Sequence, residues 1–125
     1  MSNNIQTIKI DGTGTASVTV TGVTNATYTQ YVALKVNSDS QEFSGTGEGA
    51  ALKQRYSSNQ VQLPATLEFT FTYSKDGGTT RNPAKRSQQI KSYDQPPAEI
   101  YTVTSEDSND GDDNDTVMTA TIHKH

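Results

Sequence analysis

Leu67-Glu68-Phe69-Thr70-Phe71-Thr72-Tyr73 alternates large apolar or aromatic side chains with polar ones through seven residues. Side chains two apart share a face only in an extended chain, so this run places Leu67, Phe69, Phe71 and Tyr73 on one side and Glu68, Thr70 and Thr72 on the other. A helix would scatter the same residues around its axis. In a chain of 125 residues that is only 30% hydrophobic, that aromatic face supplies a large share of the available core.

The same period recurs on both sides of this stretch. Ala16, Val18 and Val20 alternate with Ser17 and Thr19, and Val32, Leu34 and Val36 alternate with Ala33 and Lys35. Ile5–Ile10, Gln88–Ser92, Glu99–Thr104 and Thr116–Ile122 read as further strands. Asp11-Gly12, Asp76-Gly77-Gly78 and the region of Asn82-Pro83 carry turn residues. Ala50–Tyr56 is expected to be a connection or a short strand, and no long helix is expected. Pro96-Pro97, lacking two backbone donors, is expected to set the last two strands apart from the preceding sheet. The expectation is an all-β fold, a compact antiparallel β-sandwich of about nine strands in one domain spanning residues 1–125.

Composition excludes several classes of function. Without cysteine there is neither a disulfide framework nor a thiolate metal site. No stretch approaches the roughly 20 apolar residues of a membrane-spanning helix. Lys85, Arg86 and nearby Arg81 are too sparse for a nucleic-acid surface. Met1–Ile10 lacks the pattern of a signal peptide, which leads to the expectation of a soluble chain made in the cytoplasm, with an extracellular role open by another route. The net charge of −4 is unevenly spread: of 14 acids, six (Glu106, Asp107, Asp110, Asp112, Asp113 and Asp115) fall within ten residues, leaving eight acids against ten Lys and Arg elsewhere.

Such density repels itself unless it is solvated or neutralised by cations. Glu106-Asp107-Ser108-Asn109-Asp110-Gly111-Asp112-Asp113-Asn114-Asp115 lies between two expected strands and offers carboxylate and amide oxygens, which suit a hard cation. An irregular loop furnishes the six to eight oxygens of calcium more readily than the strict octahedron of magnesium, and a pair of ions accounts for the charge better than one. An EF-hand is excluded: with Gly111 at the sixth position, Val117 stands at the twelfth, where Glu is required. A solvated acidic turn, or a metal that only stiffens the fold, is the plainer alternative.

The segment has the pattern Glu-Asp-x-x-Asp-x-Asp-x-Asn-Asp, and upstream stands Asn25-Ala26-Thr27-Tyr28-Thr29-Gln30, followed by Val32–Asn37 and by Phe43-Ser44-Gly45. Together these resemble the calcium-mediated fucose- and mannose-binding bacterial lectins of the soluble Pseudomonas fucose-lectin type. The resemblance implies two calcium ions per subunit. Glu106, Asp110, Asp112 and Asp115 would hold the first. Asp112, Asn114, Asp115 and the backbone carbonyl of Asn25 would hold the second. The carboxylate of His125 would complete the site of a partner subunit, giving a homodimer or a homotetramer. Mannose- or fucose-type glycans would bind through neighbouring hydroxyls on calcium and through hydrogen bonds to Asp107, Asp110 and Asp115. Ala26 and Thr27 would lie in the specificity loop, with Ala26 leaning towards mannose. Tyr28 replaces a small glycine of the family pattern, and its ring would cover a sugar, block the pocket or pack within the strands.

Two other classes stay open on the residues alone. Paired acids also serve glycoside hydrolases, where the separation of the carboxyls decides the chemistry, although no Ser-His-Asp or Cys-His arrangement is visible. A calcium-stiffened adhesion protein is the other.

Overall fold

The computed structural model describes residues 3–107 and 115–125. Among them run nine strands: β1 (Ile5–Ile10), β2 (Thr15–Val36), β3 (Asp39–Ala51), β4 (Tyr56–Gln62), β5 (Ala65–Ser74), β6 (Asn82–Pro83), β7 (Arg86–Gln95), β8 (Ala98–Glu106) and β9 (Thr116–Lys124). No helix in the described residues is long and apolar enough to cross a membrane. All pairings between strands are antiparallel, along the order β1-β5-β2-β9-β8-β7, with β3 and β4 on the other edge of β2 and β6 beside β5.

The 22 residues of β2 organise the molecule, because this strand changes partners halfway along. Its first half pairs with β9 from Ala16↔Lys124 to Thr24↔Thr116, and its second half pairs with β5 from Thr29↔Ser74 to Val36↔Leu67. On its other edge β4 gives way to β3. The sheet therefore bends on itself at residues 25–28 and becomes a sandwich with β2 shared by both layers. Side chains tie the free edges: the Gln6 amide donates to the Ser87 carbonyl (3.1 Å), the Gln89 amide to the Thr7 carbonyl (3.1 Å), and the Ser87 hydroxyl to the Asn3 carbonyl (2.7 Å).

Alternation decides which faces meet inside. Leu67, Phe69 and Phe71 are buried, as the opening run requires, against Val32, Leu34, Phe43, Ile8 and Ile10 from one layer and Val18, Val20, Val103, Met118 and Ile122 from the other. Phe69 and Phe71 stack with ring centroids 6.4 Å apart. Each fully buried side chain of this size contributes on the order of 1.5–3 kcal/mol relative to exposure. Gly22 and Gly45 are needed where Leu52 packs onto the strands: a Cβ on Gly45 would lie 2.8 Å from Leu52 Cδ2, and one on Gly22 would lie 2.6 Å from Leu52 Cδ1 and also meet Met118 Sδ.

The structure corrects the reading of the sequence in four places. Ala16–Val20 and Val32–Val36 are the two ends of one strand, joined through residues whose apolar period lapses. Strands β3 and β4 were not foreseen, since Gly-rich and Ser-rich segments carry little alternation and gain their pairing from β2. Pro96-Pro97 does not isolate the last strands: it forms the hairpin turn between β7 and β8, where missing amide donors cost no ladder bond. Asn82-Pro83, expected as a turn, pairs briefly with Thr72 and Tyr73.

Candidate functional site

Where β2 leaves β9 and has not yet met β5, residues 25–28 belong to neither ladder. Across β3 the register also shifts, between Thr24 and Ala26 and again between Ala26 and Gln30. Irregularities of this kind redirect side chains and often border functional sites. The Asn25 side-chain oxygen accepts from the Gly49 amide (2.9 Å), and the Thr46 hydroxyl donates to the Thr27 carbonyl (3.1 Å), so the end of β3 holds the bulge in shape.

The end of β8 and the start of β9 arrive beside this bend. Glu106, Asp107 and Asp115 bring carboxylate oxygens within 4.8 Å of one another, and all three residues are buried. The backbone places them: the Asp115 amide donates to the Ser105 carbonyl (3.0 Å), the Asn25 amide to the Asp115 carbonyl (3.0 Å), and the Lys85 amide to the Glu106 carbonyl (2.8 Å). The Asp107 amide donates to Asp115 Oδ2 (2.7 Å). Burial pushes the Asp115 carboxyl up to about 7, against the hydrogen bond from the Asp107 amide, and the charges of Asp107 and Glu106 add to the rise. Without a cation the cluster therefore holds a proton that an isolated aspartate would release. Three buried carboxylates at this spacing fit a hard cation, which would relieve the same repulsion.

Gln30 had no assigned role in the sequence reading and proves central to the site. It is 1% exposed. Its amide donates to Asp107 Oδ2 (3.0 Å) and to the Tyr28 carbonyl (3.2 Å), while its oxygen accepts from the Thr116 hydroxyl (3.1 Å). The Thr24 hydroxyl donates to the Asp115 carbonyl (2.8 Å). A glutamine and two threonines inside strands look like ordinary polar-face residues; only the break in pairing reveals that they face one another. The only sequence signal was the position of Gln30 at the end of the Asn25–Gln30 element.

Of the residues singled out from sequence, the structure brings together Glu106, Asp107, Asp115 and Asn25. Ala26 is buried in the bulge and Thr27 is exposed next to it. Asp110, Asp112 and Asn114 lie outside the described residues. Tyr28 packs rather than projecting freely: its ring stacks on Tyr73 with centroids 5.8 Å apart, and Lys75 Nζ lies 5.4 Å from its centroid. His125 is held at the other end of β9 by its amide on the Thr15 carbonyl (3.0 Å) and by ring contacts with the Thr15 and Ser17 hydroxyls (2.9 and 2.8 Å). An extended chain of ten residues separates it from Asp115 by about 30 Å. Within one chain, His125 therefore cannot join the cluster.

A second charged group sits at the His125 end. Glu99 accepts from the Tyr101 hydroxyl (2.7 Å) and pairs with Lys124 (3.0 Å) and Lys91 (3.3 Å). Burial raises this carboxyl, but hydrogen bonds from Tyr101, Lys124 and Lys91 outweigh burial and leave it lowered. The two ends of the molecule thus differ. Ammonium groups on the Glu99 carboxylate lock β7, β8 and β9 together, whereas at the β2 bend three buried carboxylates crowd on one another at a spacing that could hold a cation.

The fold agrees with that of known proteins. Solved structures similar to the chain include the high-affinity mannose-binding lectin of Ralstonia solanacearum, at 21% identity and a TM-score of 0.65, covering 97% of this chain and 96% of that one. A Chromobacterium violaceum lectin solved in complex with alpha-methyl-fucoside matches at 20% identity and a TM-score of 0.61, with 97% and 96% covered. The C-terminal domain of a Burkholderia cenocepacia lectin, BC2L-C, matches at 18% identity and 0.60, with 92% of each chain covered. These likenesses establish a common fold. No curated protein matches the chain. The family profile described as Fucose-binding lectin II (PA-IIL) matches residues 5–124, nearly the whole sequence. The chain belongs to that family of carbohydrate-binding lectins, and binding rather than catalysis is its work.

Proposed function

We propose that the chain is a calcium-dependent lectin for mannose, fucose or related monosaccharides, with two calcium ions per subunit in contact with neighbouring sugar hydroxyls. The observation that carries this reading is the buried Glu106, Asp107 and Asp115 cluster at the β2 bend, in a chain of a lectin family. Similar structures are named for mannose binding or were solved with a fucoside, which supports the sugar class.

Glu106 and Asp115, with Asp110, Asp112, Asn114 and the Asn25 carbonyl, would hold the ions. Calcium supplies concentrated positive charge and coordination positions that sugar hydroxyl oxygens can fill. Asp107 would accept a hydrogen bond from the sugar, its carboxylate oriented by the Gln30 amide. Asp110 and Asp115 would accept others, and Ala26 and Thr27 would border the bound sugar. A homodimer follows if the His125 carboxylate serves the site of a second copy, because its own site is about 30 Å away along β9; a homotetramer would combine two such pairs.

The test is a glycan array probed with calcium and again with EDTA, alongside calorimetric calcium titration of the metal-free protein. The expected result is binding to mannosides or fucosides only with calcium, no product release, and two calcium ions per chain. Sugar binding unaffected by EDTA would refute the metal-mediated mode. Extending the chain beyond His125 should weaken dimerisation and sugar affinity together; if both persist, the shared carboxylate is wrong.

A further inference from the structure

Beside the bend, on the face of β2 away from the core, Thr29 and Tyr31 floor a cavity of about 370 Å³. Ser44 and Thr46 from the middle of β3, Lys53, and Gly77 of the connection after β5 also line it. That volume lies within the range of small-ligand sites.

The walls are set before any ligand arrives. The Ser74 hydroxyl donates to Asp76 Oδ1 (2.7 Å) and accepts from the Gly78 amide (2.8 Å), while the Thr80 amide donates to Asp76 Oδ1 (2.9 Å). This connection presses on the floor: a Cβ on Gly78 would lie 2.7 Å from the Tyr31 hydroxyl. Arg81 stacks over the Tyr31 ring, 3.7 Å from its centroid, so that it covers one face of the ring, and pairs with Glu42 (2.9 Å). The Thr46 hydroxyl that lines the cavity is the one that donates to the carbonyl of Thr27. One residue thus links the cavity to the specificity loop of the calcium site.

The lining chemistry selects a ligand class. Thr29, Ser44 and Thr46 offer hydroxyls, Lys53 offers an ammonium, and no carboxylate among the described residues lines the cavity, although the chain as a whole is acidic. We propose that this cavity is a second carbohydrate subsite, which takes an acidic sugar residue attached to the one on calcium and directs its carboxylate to Lys53. The proposal rests on the lectin reading for the first residue and extends it to an acidic glycan.

The experiment uses calcium-loaded protein and three ligands: methyl mannoside, a panel of mannosyl disaccharides with glucose at each linkage, and the matching panel with glucuronic acid. In low salt one or more acidic disaccharides should bind about two- to fivefold tighter than its neutral counterpart, the range of an exposed ion pair. Lys53→Ala should abolish the difference and Lys53→Glu reverse it, with affinity for methyl mannoside unchanged. Equal affinities across all linkages, or an advantage that survives Lys53→Glu, would overturn the subsite. A separate arm avoids the calcium site: glucuronate added in EDTA should shift the amide resonances of Thr29, Ser44 and Gly77, and Lys53→Glu should remove the shifts. Failure of methyl mannoside to bind with calcium would sink the lectin reading, and the EDTA arm would still decide whether the cavity accepts an acidic sugar.

Discussion

Replacing Gln30 by Leu should destabilise the protein by about 3 kcal/mol, a value that follows from three hydrogen bonds. One joins the Gln30 amide to the Asp107 carboxylate at 3.0 Å, and bonds to a charged group contribute about 1.5–3 kcal/mol. The other two, to the Tyr28 carbonyl and from the Thr116 hydroxyl, are neutral and contribute about 0.5–1.5 kcal/mol each. Thr116 and Asp107 are buried, so water does not readily replace the lost partner. Leu nearly fills the volume and buries more apolar surface, which offsets part of the loss. For a chain of this length, about 3 kcal/mol lowers the melting temperature by roughly 12 °C. Urea unfolding in EDTA should show the loss as a lower midpoint with an unchanged slope. In calcium, the folded variant should bind mannoside at least tenfold more weakly, because Asp107 loses a buried donor that helps to orient it. A loss below about 1 kcal/mol with normal sugar affinity would refute the assignment of Gln30 as the buttress of the site.

The remaining predictions concern pH and packing. Asp115 has a folded-state pKa of about 7 against an ordinary value of 3.8, so between those values the folded metal-free protein binds the extra proton and its stability falls as pH rises. Urea midpoints in EDTA should therefore be higher at pH 5.5 than at pH 7.5, while calcium affinity changes in the opposite direction because protons compete for the carboxylates; a metal-free midpoint that rises with pH over this range would contradict the crowded cluster. The lowered Glu99 carboxyl acts in the opposite sense and only below the ordinary glutamate range, outside this window. Gly22→Ala should cost about 1–3 kcal/mol by overpacking, since its Cβ would press on Leu52 and Met118, and the double variant with Leu52→Ala should lose less than the sum of the two single changes. Phe71→Ala should cost about 3–5 kcal/mol in the same unfolding assay, because the ring is 1% exposed and stacks on Phe69.

Much of the fold was legible where alternation is strong. Leu67–Tyr73 buries the face its period assigns, and Val18, Val20, Leu34 and Val36 do the same. Legibility failed where pairing depends on a neighbour. Ser, Gly and Glu in Asp39–Ala51 have no strong strand preference, yet β2 offers them a free row of donors and acceptors. The acidic segment was legible as a candidate cation site from charge density, and the structure places Glu106, Asp107 and Asp115 close enough together to hold one. Gln30 was not legible as their support, because a polar residue in a strand gives no sign of being buried against a carboxylate from 77 positions away.

By itself the sequence determined the β architecture, the aromatic core face and the chemistry of the acidic segment, since these follow from local period and composition. Tertiary structure alone decided that one 22-residue strand serves both layers, that its change of partners opens the bend at residues 25–28, and that Glu106, Asp107 and Asp115 meet there. It also decided that Tyr28 leans on Tyr73 and that His125 sits at the far end of β9. The physical reason is that backbone pairing has no side-chain code: register and partner are chosen by which arrangement buries every apolar face while satisfying every buried amide.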